Sequence, residues 1–594
     1  MSAIASETGD ALANDDPIAI DWVSPLPPVA SGIADYSADL LPQLAARCRL
    51  RVVQLPDQPA IRPGLETALG DAVDDVAVIA PGDLSAAPGA PLPIYQMGNN
   101  RYHVAVHDLA MQTPGIVVLH DWVLHHLLVE RILGDGPGPD PARSTFADYR
   151  AAIVAEHGWL GDAIARPIRW AGASSDAGRF ALPAHRRLLR QQRGVIVHSR
   201  WAATRLVEDG VLAPDQVAAV AMGIPLPMRD PATQRAASRA FRDAHALPHD
   251  RPLLGSFGFQ TPIKRTDVAV RALAEPALAD AHLLIAGTVS PGFDPMAIAR
   301  AHGVAERVHL LGFLDYDDFE RAIAAVDVCL NLRYPTAGET SASLLRILAV
   351  GRPAVVSDFA QFAELPDALV IKVPLPAARA DDGAQADTEV AALAARVGAL
   401  LADDAARRSY ADRARAHIAA RHAPADAADA VLTACRTWLR PAAARAAATA
   451  TAQPATVPRA TTLLAADFTG NLTIEGADLP WPPGTRRRLR AVLHNRSDVR
   501  WLAGSRPEGG VALAMSIRPS GSANDAAGDG TGSKDRDRPW IPLPIDLEPG
   551  AALPIDLGEV RRPLGPARIE INAQLMNRPP YDERTRPRWS LELP

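Results

Sequence analysis

The sequence contains few cysteines and no apolar run long enough to cross a bilayer. Cys48, Cys329 and Cys435 lie far apart and form no CxxC pair, which argues against a disulfide framework and against a thiolate zinc site. No stretch reaches the ~18 consecutive apolar residues of a membrane helix, and the acidic N-terminal segment has no signal-peptide core. We therefore expect a cytoplasmic protein.

The sequence also has no excess of positive charge. Its formal net charge is -7 and its pI is near 6.2, so nothing general favours binding to nucleic acid. Apolar residues make up 48% and charged residues 22% of the chain, which is ordinary for folded proteins. A chain of 594 residues exceeds the capacity of one core, so several domains are expected.

Two series of short apolar runs indicate two α/β domains. The first begins at IAIDWV and continues through RVVQL, VAVI, PIYQ, GIVVL, GVIVHS and VAAVA; the second runs from PLLGSFGF to ALVIKV. Such runs, separated by loops and helical stretches, are typical of buried parallel strands. We predict two Rossmann-like domains, over residues 17–225 and 226–440, with a ligand cleft between their carboxyl edges. Helices are predicted as an insertion over about 140–192, and the terminal helices of the second domain either cover it or cross back.

A different pattern follows residue 440. Residues 441–460 have almost no large apolar side chains and several prolines, which predicts a linker. Residues 461–594 contain segments with a two-residue apolar period, which predicts an antiparallel β-sandwich. The side chains expected to face its core are Leu489, Ala491, Leu493, Val511, Leu513, Met515, Ile569, Ile571 and Ala573.

Two features of the first domain fall at predicted strand ends. Gly32 lies in a loop before a helix, where backbone N–H groups can face an anion; a plain turn explains the same glycine. His120 and Asp121 directly follow the strand GIVVL, so the imidazole is placed to contact a sugar hydroxyl, with Asp121 expected to orient it. A structural histidine bonded to the backbone is the alternative.

Four further histidines invite a metal interpretation. His103 and His107 are four residues apart on a predicted helix, and His125 and His126 are adjacent. No glutamate occupies the position that the HExxH arrangement requires. We therefore expect no metal site.

The second domain carries two candidate anion sites. Lys264 and Arg265 stand at the start of a helix after a glycine-containing loop, where they can neutralise a diphosphate. The segment Gly338 to Ser343 leads into a helix predicted from Ala342, and its N–H groups and hydroxyls suit a sugar phosphate. A plain N-cap formed by a hydroxyl residue explains the same segment.

Nine motifs in order resemble those of bacterial glycosyltransferases of family four. They are SPLPPVASGIADYS, YQMGNNRYH, VVLHDWVLHH, GVIVHSRWA, MGIP, GSFGFQTPIKR, LLIAG, LRYPTAGETSASLLRILAVGRPAVVSD and FAELPD. The resemblance spans residues 18 to about 420. It implies a GT-B fold and retaining transfer from a nucleotide-diphosphate sugar as co-substrate, with no metal and no other cofactor.

The resemblance also assigns roles to individual residues. It implies catalytic positions at His120, Lys264 and Glu339. It implies donor binding by Gly32, Gly338, Thr340, Ser341 and Ser343, and we expect Arg265 to bind the donor diphosphate beside Lys264 because of its charge. Asp121 and Asn99 are expected on the acceptor or sugar side.

The sequence departs from the family pattern at its paired-glutamate motif. Counting back from Gly351, the two expected glutamate positions hold Gly338 and Arg346, while Glu339 is displaced by one residue. The family's basic residue before the lysine is also missing, because Phe259 and Gln260 stand there. These departures fall at positions that the resemblance assigns to a contact with the donor ribose and to one contact with a donor phosphate.

We therefore expect an enzyme of polysaccharide or glycoconjugate synthesis whose acceptor is a glycan, a lipid-linked sugar or another hydroxyl compound. Association with the inner face of the membrane and a partner for the β-sandwich are left open. One alternative is a nucleotide-sugar or carbohydrate-binding protein that has lost catalysis. A glycoside hydrolase, which needs two opposed carboxyl groups and no nucleotide site, fits the anion-binding features less well.

Overall fold

The computed structural model describes most of the two α/β domains and part of the C-terminal region. The described residues are 17–134, 145–171, 182–227, 231–375, 382–439, 470–474, 481–496, 501, 511–519, 540–543, 547, 552–575 and 588–593. The predicted linker at 441–460 lies outside them, as does part of the predicted helical insertion.

The first domain is built on a seven-stranded parallel sheet with the order β3-β2-β1-β4-β5-β6-β7. Its strands are nearly continuous apolar runs because helices cover both faces. Asp21 is the charged exception within β1: it is fully buried, and its carboxylate accepts two hydrogen bonds from Arg51, at 2.6 and 2.8 Å. The strands are β1 (Ala19–Val23), β2 (Arg49–Val53), β3 (Ala77–Ile79), β4 (Leu92–Met97), β5 (Ile116–Leu119), β6 (Gly194–Val197) and β7 (Val217–Ala219).

Helices of the first domain connect these strands. The predicted insertion is represented by a long helix and a short one, which follow the strand that ends at Leu119. The helices are α1 (Gly32–Ala45), α2 (Arg62–Leu69), α3 (Val104–Gln112), α4 (His125–Leu133), α5 (Phe146–Ala171), α6 (Arg186–Arg190) and α7 (Arg200–Glu208).

The second domain repeats the architecture with a six-stranded parallel sheet of order β10-β9-β8-β11-β12-β13. Its strands are β8 (Leu253–Phe257), β9 (His282–Ala286), β10 (Val308–Gly312), β11 (Val328–Asn331), β12 (Ala354–Ser357) and β13 (Ile371–Val373). Its helices are α8 (Pro231–Ala244), α9 (Thr266–Ala272), α10 (Pro295–Ala301), α11 (Tyr316–Ala325), α12 (Ala342–Val350), α13 (Ala360–Ala363), α14 (Asp382–Ala402) and α15 (Asp404–Arg421).

The last helix of this region, α16 (Pro424–Leu439), crosses back to the first domain. The ring of Trp438 lies against Gly194 of β6, where a Cβ would come within 2.1 Å of it, and the indole N–H donates to the carbonyl of Asp215 at 2.8 Å. Arg47 at the end of α1 also pairs with Asp429. Crossing back was one of the two placements that the sequence left open.

The C-terminal region contains two antiparallel sheets, with the orders β14-β15-β18 and β17-β16-β19-β20. All nine side chains predicted to face inward are buried in one shared apolar cluster, which confirms the two-residue period. The strands are β14 (Gly470–Ile474), β15 (Arg486–Asn495), β16 (Val511–Pro519), β17 (Trp540–Pro542), β18 (Ala552–Arg561), β19 (Ala567–Leu575) and β20 (Arg588–Leu593).

The predicted fold class is therefore confirmed: two parallel α/β domains typical of the GT-B fold precede an all-β region. Within the described residues, every helix is too short or too polar to cross a bilayer.

Candidate active site

The candidate site lies where the carboxyl edges of the two parallel sheets meet, which is the position that open α/β sheets use for ligands. Backbone and side-chain contacts join the domains here. The N–H of Val123 donates to the carbonyl of Ala337 at 3.0 Å. Glu364 of the second domain accepts hydrogen bonds from the N–H groups of Arg200 and Trp201, at the N-terminus of α7. The two loops that carry the predicted sugar and phosphate residues are thus held against each other.

Lys264 provides a cation at the end of β8. Its ammonium donates to the carbonyl of Phe257 at 2.5 Å and lies above Gly258, whose φ is 87°. A Cβ at position 258 would come within 2.6 Å of the ammonium nitrogen, so this glycine leaves space for the lysine. Burial, and then the nearby Arg333, hold the pKa of Lys264 well below its usual value, while Glu339 acts in the opposite direction. A bound anion would relieve this repulsion.

Arg333 is a second cation of the site and was missed by the sequence interpretation. It follows β11 and is only 7% exposed. Its Nε donates to the carboxylate of Glu339 at 3.1 Å, and the other oxygen of that carboxylate accepts from Thr336 at 2.8 Å. The signal was present, because Arg333 lies two residues after a buried strand, close to the kind of position that His120 occupies after β5.

The start of α12 presents hydroxyls and N–H groups to the same loop. Ser341 is its N-cap, and its Oγ accepts from the N–H of Leu344 at 3.2 Å. The hydroxyls of Ser341 and Ser343 are 3.0 Å apart, and both donate to the side-chain oxygen of Asn331. Ser341 therefore caps the helix, as the simpler interpretation expects. Thr340 is half-buried immediately before it. The positive end of the helix dipole remains directed at the loop.

Gly338 is explained by contact between the domains. Its φ is 75°, and a Cβ there would lie 2.3 Å from the Cβ of Trp122 and 2.8 Å from the ring of Trp201. No side chain fits at this position without moving the loop away from the first domain. The glycine in the expected glutamate position thus permits the close approach of the two loops.

His120 lies in a buried cluster of aromatic and amide side chains. Its Nε2 is 2.8 Å from the side-chain oxygen of Gln96, and its ring is about 5.0 Å from the rings of both Tyr36 and His198. An amide oxygen only accepts, so Nε2 carries the proton and Nδ1 is left as an acceptor. Burial, with nearby His198 and His103, holds the pKa of His120 well below its usual value, so the imidazole is neutral.

Asp121 does not orient His120, which corrects that part of the sequence interpretation. Its carboxylate accepts from the N–H of Asn99 at 2.7 Å, and the Asn99 side chain accepts from the N–H of Leu127 at 3.0 Å. Consecutive residues at a strand end face different sides, so His120 meets Gln96 instead. Burial, and then the nearby Glu339, raise the pKa of Asp121 to about 7.

Gly32 and Arg265 were also predicted to bind the donor. Gly32 is the exposed first residue of α1, and a Cβ there would meet no atom within 4 Å, so packing does not explain this glycine. Arg265 has a φ of 55° and is paired with Glu389 of α14, a carboxylate that is 1% exposed. The buried carboxylate of Glu389 thus already neutralises Arg265.

Arg346 does not face solvent. Its guanidinium pairs with Asp39 of α1 at 2.8 Å, lies 4.5 Å from the ring centre of Tyr316 and donates to the hydroxyl of that tyrosine. The guanidinium and the carboxylate are 10% and 18% exposed. The residue in the second expected glutamate position therefore forms an ion pair between the two domains.

The side chains of the four histidines considered as metal ligands do not form a cluster. The Nδ1 of His103 contacts the carbonyl of Gln96 at 2.8 Å, and His125 contacts the hydroxyl of Tyr149 at 2.7 Å. His107 and His126 instead lie beside single carboxylates. Throughout the described part of the chain, no group of three or more His, Cys, Asp or Glu side chains is arranged to hold a metal ion.

Comparison with known proteins bears on the second domain most directly. Residues 251–403 match the family model Glycosyl transferases group 1. This group 1 match includes Lys264, Arg333 and the start of α12, and it covers about a quarter of the chain. No curated protein matches the sequence.

Three solved structures illustrate the similarity in the course of the chain. Anabaena Alr3699/HepE in complex with UDP is 14% identical, with 70% of this chain and 99% of that chain covered and a TM-score of 0.46. Sucrose-phosphate synthase from Thermosynechococcus elongatus is 15% identical, with 71% and 99% covered and a TM-score of 0.47. WaaG, a glycosyltransferase of lipopolysaccharide biosynthesis, is 17% identical, with 69% and 98% covered and a TM-score of 0.42.

Proposed function

We propose that this protein is a retaining glycosyltransferase that moves a sugar from a nucleotide-diphosphate donor to a hydroxyl acceptor. The observation that carries the proposal is the cluster of Lys264 and Arg333 beside the start of α12, in the domain with the group 1 match. Two cations and a helix N-terminus are directed at one loop, where a leaving diphosphate would develop negative charge. Electrostatic stabilisation of such charge is a large catalytic contribution.

Residues of both domains form the sugar side of the proposed site. The Nδ1 atom of neutral His120 accepts a hydrogen bond from a sugar hydroxyl, and its buried surroundings fix the ring. Glu339, held by Arg333 and Thr336, accepts from other hydroxyls of the sugar. Asp121 and Asn99 lie on the acceptor side. Contact between the loops around Gly338 and Trp122 excludes water, which limits donor hydrolysis.

We further propose that the reaction needs no metal and no additional cofactor, because Lys264, Arg333 and the helix supply the positive charge. In retention of this kind, the departing phosphate oxygen accepts the proton of the acceptor hydroxyl on the same face of the sugar. The acceptor is a glycan or a lipid-linked sugar in polysaccharide or glycoconjugate synthesis, and the protein acts in the cytoplasm or at the inner face of the membrane.

The experiment is equilibrium binding of UDP-, GDP- and ADP-sugars to the wild-type chain, to Lys264→Ala and to Arg300→Ala as a charge-matched control. Arg300 is exposed on α10 in the same domain. We expect one nucleotide to bind with micromolar affinity and the lysine variant to lose roughly tenfold or more, the effect of one charged contact. Equal affinities for Lys264→Ala and wild type would refute the donor site.

A second candidate function is a nucleotide-sugar-binding protein without catalysis. The observation that favours it is the state of Arg346. This residue stands in the second expected glutamate position, and its guanidinium is paired with Asp39. This candidate uses the same anion site, so it also predicts tight and Lys264-dependent binding. Only turnover separates the two: the binding protein releases no nucleoside diphosphate when candidate acceptors are supplied.

A further inference from the structure

A groove rich in arginine lies on the second domain, away from the candidate active site. Its volume is about 440 Å³, and six arginines and two aspartates line it. Arg235, Arg239 and Arg242 come from one face of α8, at spacings of four and three residues. Arg251, Arg352 and Arg407 complete the set. In a chain with a net charge of -7, this is a local concentration of positive charge.

The groove lies at the opposite edge of the second sheet from Lys264. Arg251 lies two residues before β8. Asp327 immediately precedes β11, and its carboxylate accepts from the N–H of Leu253 at 2.8 Å. Lys264 follows the other end of β8. Five strand residues, or roughly 16 Å, therefore separate the two places. A ligand in the groove would leave the cleft between the domains open.

Part of the groove is fixed in position by internal hydrogen bonds. Arg242 is 9% exposed and donates to the carbonyl of Ala325 at 2.8 Å and to that of Pro248 at 2.6 Å, and it pairs with Asp327 at 3.2 Å. Arg352 donates to the carbonyl of Ala324, and its Nε is buried without a partner. A pre-ordered base of this kind reduces the entropy lost on binding.

Three of the six arginines are left to face a ligand. Arg242, Arg251 and Arg407 each have a carboxylate partner. Over the described ranges, no carboxylate lies within 4.0 Å of the guanidinium groups of Arg235, Arg239 or Arg352. Arg235 and Arg239 are exposed at the rim. One guanidinium group can donate two parallel hydrogen bonds to the oxygens of a phosphate. Several converging arginines therefore suit an anion with more than one phosphate.

We propose that this groove is a binding site for a small anion that carries two or more phosphate groups. Its volume is in the range of small-molecule sites. The site acts independently of the donor diphosphate, because the two lie at opposite sheet edges.

The test is calorimetric titration of the full chain with inorganic tripolyphosphate in the Lys264→Ala background, which weakens the cleft as a competing anion site. Arg235→Ala/Arg239→Ala is added to this background, and Arg300→Ala/Arg396→Ala serves as the control. The control removes the same charge from exposed positions on α10 and α14 of the same domain. Unchanged melting temperatures of the variants without ligand establish that they are folded.

We expect saturable binding in the Lys264→Ala background, a loss of roughly tenfold or more in affinity for the groove variant, and a change below threefold for the control. An equal loss of affinity in the groove variant and in the control variant would mean that tripolyphosphate is attracted by diffuse positive charge. That result would overturn the proposed groove site. Binding that disappears with Lys264→Ala alone would also overturn it, because all tripolyphosphate would then bind in the cleft.

Discussion

Asp121 is the residue whose protonation has the clearest consequence. Its pKa is raised to about 7 in the folded protein, against about 3.9 in an unfolded chain. Between these values the folded state holds a proton on Asp121 that the unfolded state lacks, so the contribution of Asp121 to the free energy of unfolding falls as the pH rises through this window. Below about pH 4 and above about pH 7, the contribution of this residue does not change with pH.

We therefore predict that Asp121→Asn gains stability relative to the wild type as the pH rises from about 4 to 7, and that it is more stable than the wild type at pH 8. The asparagine oxygen still accepts from the N–H of Asn99, so the loop keeps its conformation. Urea unfolding at several pH values measures the effect. A stability difference between variant and wild type that stays constant with pH would show that the pKa of Asp121 is not raised by folding.

The ion pair between Arg346 and Asp39, which joins the two domains, should contribute to stability. Arg346→Ala leaves the carboxylate of Asp39 largely buried without its cation, and removal of one member of a buried pair costs about 3 kcal/mol. The control is Arg47→Ala, which breaks a pair between α1 and α16 whose side chains are 28% and 62% exposed and costs less than about 1 kcal/mol. Denaturant unfolding compares the two. Equal losses would contradict a special role for Arg346.

At the scale of elements, the loop before α12 is constrained by its contact with Trp122. We predict that Gly338→Ala costs about 3 kcal/mol, because it combines a positive φ with a clash between the domains. Gly303→Ala is the matched control: its φ is 68° and its Cβ meets no atom within 4 Å, so it costs about 1 kcal/mol from strain alone. Thermal unfolding gives both values, and similar losses would mean that the contact is unimportant.

The strands of both parallel sheets could be predicted from the sequence, because each is a short apolar run between turns. The inward faces of the C-terminal strands followed from their two-residue period. The partners of individual site residues could not be predicted in this way. Arg346 meets Asp39, which lies 307 positions earlier in the chain, and Gly338 meets Trp122 of the other domain. Such contacts depend on how the two domains approach each other, which no local pattern encodes.

The placement of α16 has a consequence for the whole molecule. Because this helix packs on the first domain through Trp438, Cys435 and Val431, all buried, we predict that a chain ending at residue 421 exposes part of the first core and aggregates. A chain ending at residue 440 keeps the helix and should retain the donor affinity of the full chain. Size-exclusion chromatography and nucleotide binding distinguish the two. Equal behaviour of both truncations would contradict the structural role of α16.

In the proposed reaction, the cleft transfers a sugar while Lys264 stabilises the departing diphosphate. The measurement that tests it most directly is release of nucleoside diphosphate from UDP-, GDP- and ADP-sugars with candidate acceptors, by the wild type and by Lys264→Ala. We predict turnover with one nucleotide and a loss of roughly a hundredfold or more in the variant, the effect of removing one stabilising group. Tight binding of a nucleotide sugar with no turnover for any acceptor would contradict the claim and favour a binding protein.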